Sequence, residues 1–252
     1  MKVLAVVFTV RRDSKSLTLQ TTEEICRTIA SAWGGDTETE IITMSEMPVQ
    51  PCAGCKSCFR NGACPQDRLD GMAALRQKIK ECDALIAATP VYMTMVSGWC
   101  KNFLDRCASY CHVFELAGKP CLVVSVTGMT GARRTVDYLS EMMEVMGCAV
   151  ADRLPFLQHG EDGLVIGSEA AGEAVRGAAA VLRDAAANPG KYISEKTEQQ
   201  FEFIRDFNRR METICLLSGK ECPWETNVFR ERGYMNCASL GNALKKEGKS
   251  CE

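Results

Sequence analysis

Val3-Leu4-Ala5-Val6-Val7-Phe8, followed by Thr9-Val10-Arg11-Arg12-Asp13-Ser14-Lys15-Ser16-Leu17-Thr18, is the stretch that decides the fold. An unbroken apolar run without polar alternation is what a parallel strand buried on both faces requires. The polar turn after it opens straight into residues 17–33, whose apolar positions recur at helical spacing. Strand, polar turn and amphipathic helix make the first half of a βαβ unit, and the pattern then repeats. Residues 37–43, 84–88, 121–126 and 148–154 read as further strands. Residues 69–80, 99–111, 135–146 and the alanine-rich 169–187 read as further helices, the last stopped by Asn188-Pro189-Gly190. Five strands alternating with five helices predict an α/β fold, a doubly wound five-stranded parallel sheet. There is no internal repeat or low-complexity linker.

In such a sheet ligands bind beyond the carboxyl ends of the strands, so the loops after strands one, three and four are where chemistry belongs. The first loop offers Arg11, Ser14, Ser16, Leu17 and Thr18 at a helix start, where backbone N–H groups, hydroxyls and a guanidinium make a phosphate site. The plainer reading is an N-capping serine among solvated charges. Neither G-x-G-x-x-G nor G-x4-G-K-[ST] is present, which argues against a Rossmann dinucleotide site and against an ATPase. The second loop, Thr89-Pro90-Val91-Tyr92-Met93-Thr94, pairs a fixed proline φ with an aromatic face suited to a ring system. The third, Ser125-Val126-Thr127-Gly128-Met129-Thr130-Gly131, supplies small residues and free amides for the polar edge of a ring.

Between strands two and three stand Cys52, Cys55, Cys58 and Cys64, a C-x2-C-x2-C-x5-C run followed by Pro65. Four thiolates so close on one loop suit an iron–sulfur cluster. A zinc site usually splits into two separated pairs, and a loop of free thiols is the third reading. Fifteen cysteines in 252 residues, without a signal-peptide pattern, point to a reducing cytoplasm and not to a disulfide framework. The chain is 46% hydrophobic and 25% charged with a net charge of −2, which gives no bulk attraction to nucleic acid. The opening apolar run is too short to span a membrane.

Pro90-Val91-Tyr92, Ser97-Gly98, Lys101 and Phe103-Leu104-Asp105-Arg106 resemble the P-x-Y…K-x-F-x-D-R stretch of the flavodoxin-like NAD(P)H-dependent FMN reductases. With the cysteine run and Asp70-Gly71-Met72, the chain looks like the iron–sulfur flavoprotein branch of that family. The likeness covers residues 1–190. It implies FMN, with the phosphate on Arg11, Ser14, Ser16, Leu17 and Thr18 and the isoalloxazine against Pro90, Val91, Tyr92, Met93, Thr94 and Gly128, flanked by Ser125 and Thr127. It further implies a [4Fe-4S] cluster on Cys52, Cys55, Cys58 and Cys64, and a homodimer or homotetramer. The electron donor would be NAD(P)H or reduced ferredoxin, and the acceptor a small molecule or a protein. The family's first loop commonly reads G-S-P-R-x-x-G-N-T, and Thr9-Val10-Arg11-Arg12 lacks its glycine and proline.

The expected organisation is a flavodoxin-like domain over 1–190 with a cysteine-rich loop at 50–66, then a helical and irregular extension over 191–252. In the extension Ile204, Phe207, Met211, Ile214 and Cys215 recur at helical spacing, predicting an amphipathic helix that buries that stripe. Cys215, Cys222, Cys237 and Cys251 lack paired spacing, and an irregular tail carrying Trp224 and Tyr234 is expected to cover a groove. Lys101 and Asp105 read as a surface pair. His112 and His159 stand apart from any motif, leaving no basis for a histidine triad. Cys82, Cys107, Cys111, Cys121 and Cys148 read as small buried hydrophobes. The function that follows is an FMN-dependent oxidoreductase coupling one- and two-electron transfer; the alternatives are a cluster-free FMN or quinone reductase and a non-enzymatic electron carrier or redox sensor.

Overall fold

The computed structural model describes residues 1–13 and 15–245. The elements run β1 (Lys2–Val7), α1 (Leu17–Trp33), β2 (Glu38–Thr43), α2 (Ser57–Asn61), α3 (Met72–Glu81), β3 (Ala84–Tyr92), β4 (Met95–Val96), α4 (Gly98–Arg106), α5 (Tyr110–Val113), β5 (Pro120–Thr127), α6 (Ala132–Val145), β6 (Ala149–Leu157), β7 (Leu164–Val165) and α7 (Glu169–Ala187). The extension contributes α8 (Glu195–Ser218), α9 (Trp224–Glu231) and α10 (Leu240–Lys245).

Alternate residues of each strand serve opposite layers, and this makes the sheet doubly wound. Leu4, Val6, Leu85, Ala87, Cys121 and Val123 pack with Met72, Leu75 and Ile79 of α3, Phe103 of α4 and Leu139 of α6. Val3, Ala5, Val7, Ile86, Ala88, Leu122 and Val124 pack with Ile25 and Ile29 of α1 and Val175, Ala178 and Leu182 of α7. The indole N–H of Trp33 donates to the Ala179 carbonyl at 2.9 Å, joining the two helices of that second layer.

The sheet order is β2-β1-β3-β5-β6-β7, with β4 paired to β3. Its five long strands are parallel, as the sequence predicts, and they follow the flavodoxin-like 2-1-3-4-5 order. The expectation of only five strands needs correction. β7 adds a two-residue parallel edge and β4 a two-residue antiparallel hairpin arm. Two residues carry no hydrophobic period, so neither was readable from the pattern.

Two helices also depart from expectation. The one predicted over 69–80 begins at Met72, because the Asp70 carboxylate accepts the Met72 N–H at 3.0 Å and ends the preceding turn. The one predicted over 99–111 breaks after Arg106. The Arg106 carbonyl accepts from the Arg76 guanidinium instead of a following amide, and Tyr110 N–H closes a tight turn on Cys107 at 2.8 Å.

The extension is less irregular than its sequence suggests. Trp224 opens a helix, and Tyr234 is buried in a cluster with Phe201, Phe229, Met235, Leu240 and Phe114 of the flavodoxin-like body. The buried face of α8 is Thr197, Phe201, Arg205, Asn208 and Cys215. The predicted stripe holds in part: Cys215 is buried and Ile204 partly buried, whereas Phe207 and Ile214 are exposed. Arg205 and Asn208 bury because each finds partners, Arg205 on the Cys237 and Ala238 carbonyls and Asn208 on the Thr226 hydroxyl. Cys251 lies outside the described residues.

Phe201 is fully buried, its ring 5.5 Å from both Phe114 and Tyr234. Phe201→Ala is expected to cost roughly 3–5 kcal/mol through lost burial and a cavity. Urea unfolding followed by circular dichroism checks this, and a loss under about 1 kcal/mol would show that the extension contributes little to the core.

Candidate flavin cleft and cysteine loop

The carboxyl ends of β1, β3 and β5 converge on one cleft of about 170 Å³, lined by Thr9, Arg11, Lys15, Ser16, Leu17, Thr18, Pro90, Val91, Tyr92, Val126, Thr127 and Gly128. All three predicted loops therefore meet at one place. Larger hollows lie at the amino edge of β1 and β2, about 470 Å³, and between α1 and α7, about 360 Å³, but neither gathers these loops.

Ser16 is the N-cap of α1, its hydroxyl accepting from Leu19 N–H at 3.4 Å, and no acidic residue stands in the first turn. The first N–H groups of a helix have no intrahelical acceptor, so those of Leu17 and Thr18 are available to an anion at the end of the helix where positive potential gathers. The two neighbouring arginines divide. Arg12 turns away to Glu46 at 2.7 Å, whereas Arg11 lines the cleft and pairs with Asp13 at 2.8 Å. The Arg11 hydrogen bond holds the Asp13 carboxyl below its ordinary value. Ser14 lies outside the described residues.

Ser97 locks the first loop to the second. Fully buried, it caps α4 by accepting from Cys100 N–H at 3.2 Å and donates its hydroxyl to the Phe8 carbonyl at 2.8 Å. Beyond its place in the Ser97-Gly98 motif, the position of Ser97 before a helix is a capping signal. Lys15, Thr9 and Val126 were also missed as lining residues. Beyond Tyr92, Met93 and Thr94 form the two-residue hairpin turn between β3 and β4, with φ of 50° and 61°. Such turns favour Asn and Gly at both positions, so a β-branched threonine there holds strain of about 1–3 kcal/mol, a common mark of functional loops. Thr94 packs on Gly131, where a Cβ would come within 3.1 Å of the Thr94 Cα. Tyr92 is 57% and Met93 95% exposed, an apolar surface suited to cover by a planar ring. Ser125 is not in the cleft. Its buried hydroxyl donates to the Ala132 carbonyl at 2.6 Å and fixes the start of α6.

Cys52 and Cys55 are exposed, and Cys58 and Cys64 are half-buried free thiols. The loop that bears them is held at both ends by Arg106, the arginine of the Phe103-Leu104-Asp105-Arg106 stretch. Its fully buried guanidinium reaches Asp70 at 2.6 Å, Asp67 at 2.7 Å and the Gln50 carbonyl at 3.4 Å. Asn102 donates to the Val49 carbonyl at 3.2 Å. Gln66 bridges the loop itself, donating to the Pro51 carbonyl and accepting from Ala53 N–H. Gly54 N–H already points at the Cys52 sulfur at 3.4 Å. In number and chemistry the four thiols fit an iron–sulfur cluster. Among the described residues, however, no three ligating side chains are gathered closely enough to hold a metal ion.

Of the other single residues, Lys101 pairs with Asp105 on the surface, as expected. Cys82, Cys107, Cys121 and Cys148 are buried, while Cys111 is half-buried with its thiol on the Ala108 carbonyl. His112 binds Glu225 of α9 at 3.0 Å, and side-chain hydrogen bonds to Cys111 and Glu225 push it up to about 10. It holds the extension and lies away from the cleft-lining residues.

A flavodoxin-like sheet whose strand-end cleft opens beside a helix start and an exposed tyrosine has the architecture of mononucleotide-binding α/β proteins. The chain belongs to the family described as NADPH-dependent FMN reductase, whose profile matches residues 1–162. Curated relatives are iron–sulfur flavoproteins. One from Archaeoglobus fulgidus is 32% identical over 44% of this chain and 50% of its own, and one from Methanocaldococcus jannaschii is 28% identical over 50% of this chain and 66% of its own. The chain thus spans between half and two thirds of these relatives. Among solved structures, an oxidoreductase from Corynebacterium diphtheriae superposes with a TM-score of 0.51 at 18% identity, covering 74% of this chain and 96% of that one. RosB with a bound 8-demethyl-8-formylriboflavin-5'-phosphate intermediate gives 0.50 at 17%, covering 75% and 77%. At such identities the likeness is one of fold.

Burial alone would raise the Asp70 carboxyl, but the Arg106 hydrogen bonds, with those from Gln50 and Met72 N–H, hold it below its ordinary 3.8. That contribution to stability is complete above the ordinary carboxylate value and is lost as pH falls through the lowered one. Arg106→Ala is expected to destabilise by roughly 3–5 kcal/mol at neutral pH, because it strands buried carboxylates. Urea midpoints at pH 7 and pH 3 check this: the variant's deficit should shrink in acid, and an equal deficit at both would show that packing, not charge, holds the loop.

Proposed function

We propose that this chain binds FMN in the three-loop cleft and acts as an FMN-dependent oxidoreductase whose cysteine loop carries a [4Fe-4S] cluster. The observation that carries the reading is the convergence of the α1 start, the Pro90–Tyr92 segment and the Thr127-Gly128 turn on one cleft. Leu17 and Thr18 N–H, with the Ser16 hydroxyl and the Arg11 guanidinium, would hold the phosphate, Arg11 exchanging Asp13 for the new anion. Pro90, Val91, Tyr92, Met93, Thr94, Thr127 and Gly128 would bound the ring and exclude water from its covered face. Cys52, Cys55, Cys58 and Cys64 would ligate the cluster after the loop closes inward. When bound, flavin supplies hydride acceptance with single-electron release and the cluster carries one electron, so the pair interconverts two-electron and one-electron chemistry.

The donor in this reading is NAD(P)H or reduced ferredoxin, and the acceptor a small molecule or a protein. The setting is cytoplasmic; no described helix is long and apolar enough to cross a membrane. A homodimer or homotetramer is supported by the exposed Phe203, Phe207, Ile214 and Leu217 on α8. The extension from residue 191 would act as an appendage to the flavodoxin-like domain, its described part packing on Phe114 and His112 and touching the cysteine loop at Gly62. The dispersed thiols favour one other reading, a cluster-free FMN or quinone reductase.

Arg11→Ala combined with Ser16→Ala is expected to weaken FMN by at least tenfold and riboflavin little, since charge-assisted bonds to phosphate contribute roughly 1.5–3 kcal/mol each. Fluorescence titration with both flavins measures this, and equal losses would place the phosphate elsewhere. Cys55→Ser in anaerobically purified protein should remove broad visible absorption and iron while leaving the flavin bands. Wild-type protein holding flavin with less than about one iron per chain would leave the cluster-free reductase standing, since a cubane needs several irons on cysteine thiolates.

A further inference from the structure

We propose that Cys215 and Cys222 form a redox-active dithiol, closed to a disulfide by a peroxide and reopened by a dithiol reductant. The two stand seven residues apart, at the end of α8 and in the turn that leads to α9. The Cys215 sulfur lies 3.8 Å from the Glu221 carbonyl, directly beside Cys222. The neighbouring Cys222 thiol raises Cys215. Cys222 is half-exposed and receives the Arg230 guanidinium at 3.4 Å, with Glu212 steering that arginine at 2.6 Å. Partial exposure beside a fixed cation is the setting in which a thiol reacts with oxidants. The contrast within the molecule is Cys121 with Cys148, another facing pair: both are fully buried, and burial raises Cys148 far above an ordinary thiol. They have neither access nor a facing guanidinium.

The step balances without the flavin. The Cys222 sulfur attacks one peroxide oxygen, the O–O bond breaks, and the sulfur becomes a sulfenic acid as water leaves. Cys215 then attacks that sulfur, the S–O bond breaks, a second water leaves, and the S–S bond forms. Two thiols are oxidised by two electrons in all, and hydrogen peroxide is reduced to two waters. The site has a target for its signal. Trp224, two residues on, packs its ring against Gly62 of the cysteine loop so closely that a Cβ there would lie 2.5 Å from it. A disulfide would fasten α8 to the segment that leads directly into Trp224.

The test uses the full-length protein, reduced, desalted without oxygen, exposed to hydrogen peroxide, alkylated and mapped by mass spectrometry. The expected product is a cross-link between residues 215 and 222, two hydrogens lighter and fully reversed by dithiothreitol, with Cys121 and Cys148 unlinked. In Cys215→Ser, Cys222 should accumulate as a sulfenic acid trapped by dimedone. Cys215 and Cys222 both remaining alkylatable at peroxide levels that oxidise Cys52 or Cys55 would overturn the proposal. So would cross-links from Cys222 spread evenly over the loop cysteines.

Discussion

The buried guanidinium of Arg106 binds two carboxylates and a carbonyl from both ends of the cysteine loop, and much of the molecule is arranged around it. A cation with no exposed side-chain surface needs opposite charge beside it, so Asp67 and Asp70 must stay where they are, although the buried Nε finds no partner. Because Arg106 ends α4, and α4 is capped by Ser97 on the Phe8 carbonyl, the same chain of contacts continues into the cleft loops. The cleft and the cysteine loop are thus two outputs of one scaffold, fixed relative to each other by groups that cannot move singly.

The parallel sheet imposes the other constraint. With apolar residues on both faces, only the strand ends are free for polar work, and the switch between β1 and β3 brings their loops together. This part was legible from residues 3–18 alone. The short unbroken run Val3–Phe8, rich in β-branched valine, reads as a two-sided strand, and Ser16 before Leu17 announces the helix start. The five long strands and the cleft membership of Arg11, Ser16, Thr18, Pro90, Tyr92 and Gly128 follow from local pattern and from a family likeness in the second loop.

What was not legible depends on partners distant in sequence. Hydrophobicity predicts an α8 stripe of Ile204, Phe207, Met211, Ile214 and Cys215, and Cys215 is buried, yet Arg205 and Asn208 join the inner face in place of Phe207 and Ile214 because carbonyls and a hydroxyl meet them there. Arg106 was visible as a motif letter, but its role needed Asp67 and Asp70, more than thirty residues earlier. Nor did any periodicity show that Trp224 and Glu225 would come to rest on Gly62 and His112, making the extension part of the cysteine loop's support.

The central claim is the position of the flavin, and a crystal structure of the anaerobically purified protein with bound FMN tests it most directly. The phosphate is expected on the Leu17 and Thr18 amides, and the isoalloxazine between the Pro90–Thr94 turn and Thr127-Gly128. Phosphate density at another helix start, or a ring seated in the hollow between α1 and α7, would contradict it.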